Sequence, residues 1–497
     1  MPQVVVVDCG STNIRAIAVD EKGQIIASAG RPNEPVPQPG MPKGYIIWNL
    51  QQLWGKICDV CHEVAAQAPD VQAVTLTTWG ADGAPVKEDG SLAYLPICWQ
   101  DNRTEDIIKR IDDYLPAWDL YSKTGYQLIP FNTLLRLIWL HEHEPQALEG
   151  TQWLMMPGLL SFMLCGEKSI ERTAAGTMMA MDMVNEDFSP ELLKLAGLDR
   201  SFFPDWVLPG DVIGNLTPQA AHDTGLPAGI PVVAAGHDTQ FAAIGSGAQA
   251  NEAILSSGTW EILMLRQDCF QATREGFENG VLIECDAVPG FFNPQLLMMG
   301  SGVLEWIRSH FYANLGSGPD AFATLAADAE KAGPGAGGVT VLPSFVSSTG
   351  PAKRYGTQGT VLGLNITTEP GQVYRAALEG LTFQMRHALE VIKGACQVDP
   401  KVIRVVGGGS KNDLWNQLRA DLTGLPIITI EQKEATVLGA AMFAFVGAGE
   451  FGSLHQAQEA MTGGQIVTEP STDRACYDAL YERYRTLLQD LSSFYEA

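Results

Sequence analysis

The sequence predicts an α/β protein made of two related domains, and two observations lead to that fold class. Strand and helix patterns alternate along the first half of the 497-residue chain, which is typical of α/β architecture. One unit, consisting of a strand, a small polar turn and a second strand, opens each half of the chain. The two turns, at residues 8–13 and 256–259, lie about half the chain apart. We therefore expect a repeated domain.

The first half opens with three strand patterns joined by polar turns. Val4 begins a run of four valines, which is typical of a strand that is buried on both faces. The second pattern alternates, with Ile14, Ala16 and Ala18 on one face. Residues 30–44 are rich in proline and glycine and predict an irregular surface loop. The elements predicted for this half are strands 4–7, 13–19, 24–29, 73–78 and 231–235, and helices 50–66, 103–115, 131–144 and 157–165.

The second half begins after a stretch of small and polar residues at 244–251. We place the domain boundary there and expect domains at 1–245 and 246–497. An apolar stripe from Val373 to Ile392 has helical spacing and predicts one long helix. The other elements predicted for this half are strands 253–255, 260–265 and 402–406, and helices 412–423 and 435–447.

Charge and cysteine content exclude several classes of function. The formal net charge is −25, from 32 basic and 57 acidic side chains. Such a surface repels nucleic acid and anionic lipid, so we expect neither nucleic acid nor membrane as a partner. Nine cysteines, an odd number, are typical of reduced thiols. No apolar stretch reaches the length of a membrane span and no signal peptide is visible, so we expect a cytoplasmic protein.

The first polar turn carries the residue types of a phosphate site. Glycine lets the backbone approach a phosphate closely, and hydroxyl groups and turn amides hydrogen-bond its oxygens. Asp8, at the end of the strand, could hold Mg²⁺ through water, since Mg²⁺ keeps part of its hydration shell. An ordinary polar hairpin would have the same composition, so the turn alone leaves both interpretations open. The candidate residues are Gly10, Ser11, Thr12, Asn13 and Arg15.

Two glycine-containing turns in the second half extend this pattern. Gly258 and Thr259 repeat the phosphate-site chemistry without an acidic residue. Residues 407–410, three glycines and a serine, lie between a strand and a helix, where a flat ligand could lie against the backbone. A dinucleotide-binding turn requires the pattern G-x-G-x-x-G. The last glycine of that pattern is absent here, so we exclude NAD.

Asp238 follows His237 in a turn at the end of a short apolar strand. A carboxylate beside a bound phosphate could act as a general base, a role worth roughly 10² to 10⁴ in rate. An aspartate that only caps a helix or closes a turn would look the same in the sequence. The residue type and position therefore leave both roles open.

Together these turns resemble the motifs of the FGGY carbohydrate kinases, which are members of the actin-like ATPase superfamily. Residues 8–13 resemble the first phosphate motif of that family and residues 257–259 the second. Residues 236–239 resemble the motif with the catalytic aspartate, and residues 407–410 with Asn412 resemble the adenosine motif. The resemblance covers essentially the whole chain. It implies two actin-like (ribonuclease H-like) ATPase domains with a central cleft for ATP and sugar.

Two family signatures support this resemblance. The second signature is matched throughout between Gly359 and Glu379. The first, between Phe131 and His143, departs at one position, where Arg136 replaces the usual lysine. Within the family, the runs at 187–190, 236–241, 255–264 and 374–382 resemble the kinases of L-fuculose. Kinases of L-rhamnulose share the runs at 130–134 and 256–260 but usually differ in the residues that follow.

The resemblance implies where ATP binds. Its phosphates would lie at the two hairpin tips, from Gly10 to Asn13 with Arg15 and at Gly258 and Thr259. Mg²⁺ would be supported by Asp8. The adenosine would lie beside Gly408, Gly409 and Asn412.

The resemblance also implies a sugar site in the first domain. Asp238 would take the proton from the C1 hydroxyl of a ketose. A tryptophan offers an apolar face to a sugar, and an aspartate accepts hydrogen bonds from its hydroxyls. The implied sugar-contacting residues are Trp79, Asp82, Gly83, Asn132, His237 and Gln240.

The implied function is phosphorylation of a ketose at C1, with L-fuculose as the first candidate in sugar catabolism. L-rhamnulose, D-ribulose and L-xylulose are the alternative ketoses. A more remote alternative is a non-catalytic actin-like ATPase scaffold, which needs no aspartate beside a sugar pocket. We expect a small-molecule ketose as the partner, and the sequence leaves a homodimer open.

Overall fold

Two β-sheets, one from each half of the chain, organise the computed structural model of the protein. The structure describes residues 1–316, 318–346, 349–431, 434–471 and 474–495. The strands in chain order are β1 (Gln3–Cys9), β2 (Asn13–Asp20), β3 (Ile25–Pro32), β4 (Val36–Pro37), β5 (Ile46–Ile47), β6 (Val71–Thr78), β7 (Gly83–Lys87), β8 (Thr151–Met155), β9 (Ile170–Glu171), β10 (Met181–Asp182), β11 (Asp187–Phe188), β12 (Trp206–Val207), β13 (Val212–Asn215), β14 (Pro231–Val233), β15 (Ala253–Ser257), β16 (Trp260–Leu265), β17 (Leu282–Cys285), β18 (Phe292–Met299), β19 (Thr340–Leu342), β20 (Thr360–Leu362), β21 (Ile403–Val406), β22 (Ile427–Ile430) and β23 (Gln465–Thr468).

The helices flank these sheets. In chain order they are α1 (Leu50–Ala65), α2 (Glu105–Lys109), α3 (Ala117–Thr124), α4 (Thr133–His143), α5 (Met156–Cys165), α6 (Arg172–Gly176), α7 (Pro190–Lys194), α8 (Pro218–Thr224), α9 (Asp238–Gly245), α10 (Arg274–Glu278), α11 (Ser301–Phe311), α12 (Pro319–Ala332), α13 (Pro370–Cys396), α14 (Asp413–Thr423), α15 (Ala435–Gly447), α16 (Leu454–Met461) and α17 (Arg474–Tyr495). Short 3-10 turns lie at Ile111–Asp113, Pro145–Ala147, Arg200–Phe202, Ala336–Gly338, Lys353–Tyr355 and Gly408–Lys411. None of these described helices is both long enough and apolar enough to cross a bilayer.

The two sheets place their opening hairpins in corresponding positions. The first sheet has the order β13-β14-β6-β1-β2-β3, and the second has the order β17-β18-β16-β15-β21-β22-β23. β1 lies between its antiparallel partner β2 and the parallel strand β6. β15 likewise lies between antiparallel β16 and parallel β21. The valine run of β1 is fully buried because the strand is central in its sheet.

The helix α15 joins the two halves. It comes from the second half of the chain, yet its apolar side chains share a core with β1, β6 and α9 of the first half. A Cβ atom on Gly245 would lie 1.9 Å from the carbonyl oxygen of Ala435, and one on Gly439 would lie 2.0 Å from that of Phe241. Only glycine allows the backbones of α9 and α15 to approach this closely.

The long helix expected from the apolar stripe is α13. Pro370 stands at its first position, where the missing N–H costs no helical hydrogen bond. Glu369 and Gln372 form a reciprocal capping box around that end. These local signals explain why the chain enters the helix at this point.

Two predicted segments differ from the structure. The single helix expected at 103–115 is divided into α2 and a 3-10 turn, because Arg110 adopts φ −119° and ψ 21°, outside the helical region. The loop expected at 30–44 is partly strand. β3 continues to Pro32, and β4 pairs with β5. The N–H of Asn33 also donates to the Thr12 carbonyl at 2.8 Å, which holds this segment against the first hairpin.

Candidate active site

The first hairpin tip is a tight turn with exposed polar side chains. The N–H of Gly10 donates to the Asn13 carbonyl at 2.9 Å, and a Cβ atom on Gly10 would also lie 2.9 Å from that oxygen. The turn therefore favours glycine. Thr12 and Asn13 are exposed and Ser11 is half-buried. The turn can present hydroxyl and amide groups to an anion.

Arg15 and Asp8 form an ion pair at the base of this hairpin. Two guanidinium nitrogens of Arg15 donate to Asp8 Oδ2 at 3.2 and 2.6 Å, and a third contacts Glu434 at 2.8 Å. Arg15 was expected at a phosphate, but here its guanidinium is engaged by two carboxylates. Burial raises the pKa of Asp8, and Arg15 offsets part of that rise.

Asp8 fits a role in holding Mg²⁺, but only together with a nucleotide. Both hydrogen bonds from Arg15 go to Oδ2, and none in the described part of the chain goes to Oδ1. The described residues contain no group of three or more His, Cys, Asp or Glu side chains that could bind a metal by themselves. Mg²⁺ is usually held by one or two carboxylates, water and substrate phosphates, which agrees with a single protein carboxylate here.

The second hairpin tip and the glycine turn after β21 are packed against each other. The N–H of Gly258 donates to the Trp260 carbonyl at 2.9 Å, and Thr259 is exposed. A Cβ atom on Gly409 would lie 2.0 Å from Ser257 Oγ, whereas one on Gly408 would meet no atom within 4 Å. Gly409 therefore serves packing, and Gly408 is open to a ligand. The Asn412 side chain caps α14 by accepting from a backbone N–H at 3.0 Å.

A buried ion pair lies beneath these two turns. Arg419 donates to Glu261 at 2.5 Å and to Ser257 Oγ at 2.7 Å, and its guanidinium lies 3.8 Å from the Trp415 ring centroid. Ser257 Oγ also donates to Glu261 at 2.7 Å. The cluster holds the second hairpin and the glycine turn in one arrangement. The sequence offered no signal for Arg419, because its partners are distant along the chain.

Asp238 is the first residue of α9, immediately after the turn that follows β14. Its Oδ1 accepts from the Thr239 N–H at 2.7 Å and from the Thr239 hydroxyl at 3.2 Å. The side chain is 30% exposed, so a substrate can reach it. A Cβ atom on Gly236 would lie 1.9 Å from a carboxylate oxygen of Glu171, which explains the glycine in this turn.

His237 lies between two carboxylates. Its Nδ1 is 3.0 Å from Asp238 Oδ1, and its Nε2 is 3.6 Å from Glu284 Oε2. Burial alone lowers the pKa of an imidazole, but Glu284 and Asp238 outweigh it and raise the pKa of His237 to about 9. The ring is therefore a cation at neutral pH.

This shift predicts a pH-dependent contribution of His237 to stability. The folded-state pKa is raised above the ordinary value of 6.5, so the contribution is complete below about pH 6.5 and is lost as pH rises to about 9. We expect the difference in unfolding free energy between wild type and His237→Gln to shrink by roughly 3 kcal/mol over that range. Urea unfolding at pH 6 and pH 10 measures it. A difference that stays constant with pH would contradict the assignment.

A cavity of about 240 Å³ lies beside this turn. Aromatic side chains form most of its wall, and Ser11 of the first hairpin and His237 supply polar groups. Asp238 adjoins the cavity through its contact with His237. The lining residues are Ser11, Trp79, Gly80, Ala81, Trp99, Tyr126, Phe131 and His237.

Asp82 was expected to accept hydrogen bonds from the substrate, but its carboxylate is fully buried and does not line the cavity. Oδ2 accepts from the indole N–H groups of Trp48 and Trp79 at 2.6 and 2.7 Å and from the Trp99 backbone N–H at 3.1 Å. Oδ1 accepts from Arg136 at 2.6 Å. Asp82 therefore orients the aromatic wall from behind.

Three other expected sugar contacts also lie behind the cavity wall. Gly83 packs against Trp153, where a Cβ atom would lie 2.6 Å from the indole nitrogen. Asn132 is buried, and its side-chain oxygen accepts from the Ile129 N–H at 2.9 Å. Gln240 is buried and donates to Glu284 at 2.6 Å. Of the six expected residues, the structure places Trp79 and His237 at the cavity surface.

Sequence reasoning missed several cavity residues. Tyr126 and Trp99 line the cavity, and Glu284 lies behind its wall in contact with Tyr126, 158 positions away in the chain. All three lie outside the polar turns. Phe131 belongs to the first family signature but was not expected at the site; it also lines the cavity. Aromatic residues at the ends of helices and loops gave no local pattern that could have indicated them.

The arrangement has the parts of a phosphoryl-transfer site. A reachable carboxylate stands beside a small cavity, and a hydroxyl-bearing hairpin tip borders the same cavity. A second hairpin tip and an open glycine lie on the other sheet. Such an arrangement can bind a nucleotide and a small polyol side by side.

Comparisons with known proteins identify the family of this chain. The family model for the N-terminal domain of the FGGY family of carbohydrate kinases matches residues 3–245, and that for the C-terminal domain matches residues 253–448. The L-fuculokinase of Escherichia coli (strain K12) is 38% identical over 459 residues, covering 92% of this chain and 94% of the relative.

Two further relatives differ in their sugar. The rhamnulokinase of Bacteroides thetaiotaomicron is 29% identical over 453 residues, covering 90% of this chain and 91% of the relative. The crystal structure of xylulose kinase from Rhodospirillum rubrum matches with a TM-score of 0.86 at 23% identity, covering 100% of both chains. This likeness confirms the expected two-domain α/β fold of a sugar kinase.

Proposed function

The chain belongs to the FGGY family of carbohydrate kinases and is an ATP-using sugar kinase, and on that premise we propose that it phosphorylates L-fuculose at the C1 hydroxyl. The product is L-fuculose 1-phosphate, formed in sugar catabolism. The observation that carries the proposal is the aromatic cavity between Ser11 and the Asp238 turn. L-Fuculose is a 6-deoxyketose, and its methyl group suits an aromatic wall better than a hydroxymethyl group does.

In the proposed reaction, Asp238 is the general base. All the contacts described above go to its Oδ1, which orients the carboxylate and leaves Oδ2 to accept the proton of the C1 hydroxyl. The C1 oxygen attacks the γ-phosphorus of ATP, and the bond from that phosphorus to the β–γ bridging oxygen breaks. The proton stays on Asp238 and ADP leaves. His237 contacts the same Oδ1 at 3.0 Å and helps to hold the carboxylate in this orientation.

The phosphates of ATP lie at the two hairpin tips, and the adenosine lies against Gly408. Backbone N–H groups and the side chains of Ser11, Thr12 and Thr259 bind the phosphate oxygens. Asp8 would hold Mg²⁺, which would neutralise negative charge on the phosphates. Arg15 holds Asp8 in place by the two hydrogen bonds to Oδ2.

The proposal also covers the domain limits of the protein, its cellular location and its assembly. The domains span 1–245 and 246–497, with α15 of the second packed on the first. A cytoplasmic location is supported by nine cysteines, all within the described residues, that form no disulfide. A homodimer, which the sequence leaves open, stays a prediction.

The substrate is tested with a panel of ketoses in an assay coupled to ADP release. We expect kcat/KM for L-fuculose to exceed those for D-ribulose and L-xylulose by roughly tenfold or more, because these lack the terminal methyl group. L-Rhamnulose keeps the methyl group and differs in the configuration at C4, so it tests the polar contacts. Phosphorus–carbon coupling in the product NMR spectrum identifies the phosphorylated carbon. ATP consumption without any sugar would favour the ATPase scaffold instead.

A further inference from the structure

A carboxylate from the second half of the chain reaches the wall of the sugar cavity. Glu284 lies on β17, and its side chain is 2% exposed. Its Oε1 accepts from the Tyr126 hydroxyl at 2.7 Å, and its Oε2 accepts from Gln240 Nε2 at 2.6 Å. The same Oε2 lies 3.6 Å from His237 Nε2. One side chain therefore contacts three residues of the first half.

Two of these three residues line the cavity directly. Tyr126 and His237 come from separate segments of the first half, and Glu284 is the group that both contact. A hydrogen bond from Tyr126 to Glu284 fixes the direction of the hydroxyl, so its oxygen is left to accept from a ligand. The nearby carboxylate also limits the orientations of the His237 ring.

The charges around Glu284 point to the same role. In the described part of the chain, its one ion-pair partner is His237. The nearby Arg266 is instead paired with Asp286, at 2.8 Å. A buried carboxylate is costly unless it is paired with a positive charge and hydrogen-bonded. The charged form of His237 meets this need.

The groups that face His237 come from several elements. Asp238 is on the same turn, Glu284 is on β17, and the end of β6 contacts the His237 backbone through Thr78. Tyr126 and Gln240 contact the same Glu284 carboxylate. Both ionisable groups in direct contact with the ring, Asp238 and Glu284, are acidic. The arrangement therefore favours an imidazolium, which places a positive charge at the cavity wall.

We propose that Glu284 is a positioning residue for the sugar, which fixes the Tyr126 hydroxyl and keeps the His237 ring as a cation in the cavity wall. The proposal rests on the proposed function, in which the ketose binds in the cavity that His237 lines. It also means that the sugar site of the first half is complete only when β17 of the second half is packed against it.

The test uses the full chain with Glu284→Gln, which keeps the size of the side chain and removes its charge. One readout is the NMR titration of the His237 ring in the free protein, assigned by its loss in His237→Gln. We expect the titration midpoint to fall by at least about one pH unit. The other readout is KM. We expect KM for L-fuculose to rise about tenfold and KM for ATP to stay within about twofold.

Glu379→Gln is the matched control. Glu379 is also a buried glutamate in an ion pair, with Arg375 at 2.8 Å on α13, remote from the cavity. Glu379→Gln should lower the melting temperature of the protein without changing the His237 titration or KM for L-fuculose. If either readout is unchanged in folded Glu284→Gln, the proposal is overturned.

A second variant covers the case in which Glu284→Gln does not fold. Tyr126→Phe removes only the hydroxyl that donates to Glu284, and we expect it to raise KM for L-fuculose at least about threefold. An unchanged KM in that variant overturns the proposal. A wild-type protein that phosphorylates no ketose would refute the proposed function instead. The His237 titration would still report on the Glu284 contact.

Discussion

Asp238→Asn is expected to lower kcat for ketose phosphorylation by at least about 100-fold, with ATP binding retained. The amide keeps the size of the side chain and can still accept from the Thr239 N–H, but it cannot take the proton of the C1 hydroxyl. Asp238 and Asp8 repel each other in the folded protein. Removing one charge should therefore not weaken the binding of an anionic nucleotide.

Calorimetric titration with ADP and a turnover assay separate the two effects. Asp320→Asn is a suitable control, because Asp320 also stands in the first turn of a helix and is exposed far from the cavity. Its turnover should match that of wild type. Turnover of Asp238→Asn within about threefold of wild type would show that another group takes the proton.

Arg136→Met should destabilise the protein by about 3–5 kcal/mol, because it leaves the fully buried Asp82 carboxylate without a positive partner. The effect should extend to the substrate. Asp82 holds the indoles of Trp48 and Trp79, whose ring centroids are 4.4 Å apart, and Trp79 lines the cavity. We therefore expect KM for the ketose to rise as well. Urea unfolding followed by tryptophan fluorescence measures the first effect.

Arg136→Lys provides the matched comparison. The hydrogen bonds that Arg136 makes in the structure all come from Nη1, which donates to the carboxylate of Asp82 and to the carbonyls of Ala81 and Ile97 at 2.6, 3.1 and 3.2 Å. An ammonium group has three N–H donors and could serve the same three oxygens. We expect Arg136→Lys to lower the free energy of unfolding by less than about 1 kcal/mol. A loss as large as that of Arg136→Met would show that the planar guanidinium itself is required.

The hairpins and turns were predictable because their signals are local. A glycine whose Cβ atom would collide within its own turn, as at Gly10, is a constraint that neighbouring residues impose. The same holds for the valine run of β1 and for the proline and capping residues that begin α13. The tight turns at strand ends also predicted Ser11 and His237 as site residues, and the structure places both at the cavity.

The roles of individual side chains were less predictable, and Asp82 is the clearest case. Its position after a strand and beside Trp79 suggested a group facing the substrate. The structure instead satisfies both of its oxygens with protein donors, one of them from Arg136, which lies 54 positions away in the chain. Arg15 departs for the same reason, since one of its partners, Glu434, lies 419 positions away.

Local sequence patterns were enough to define two α/β domains, three phosphate- or nucleotide-type turns and a candidate base at Asp238, because the conformation of such turns depends on adjacent residues. Tertiary packing decided which side chains line the cavity and which stand behind its wall. That choice depends on burial and on hydrogen-bond partners that meet only when the two halves pack together. Glu284 shows this most directly, because its carboxylate enters the first-domain site from a strand of the second.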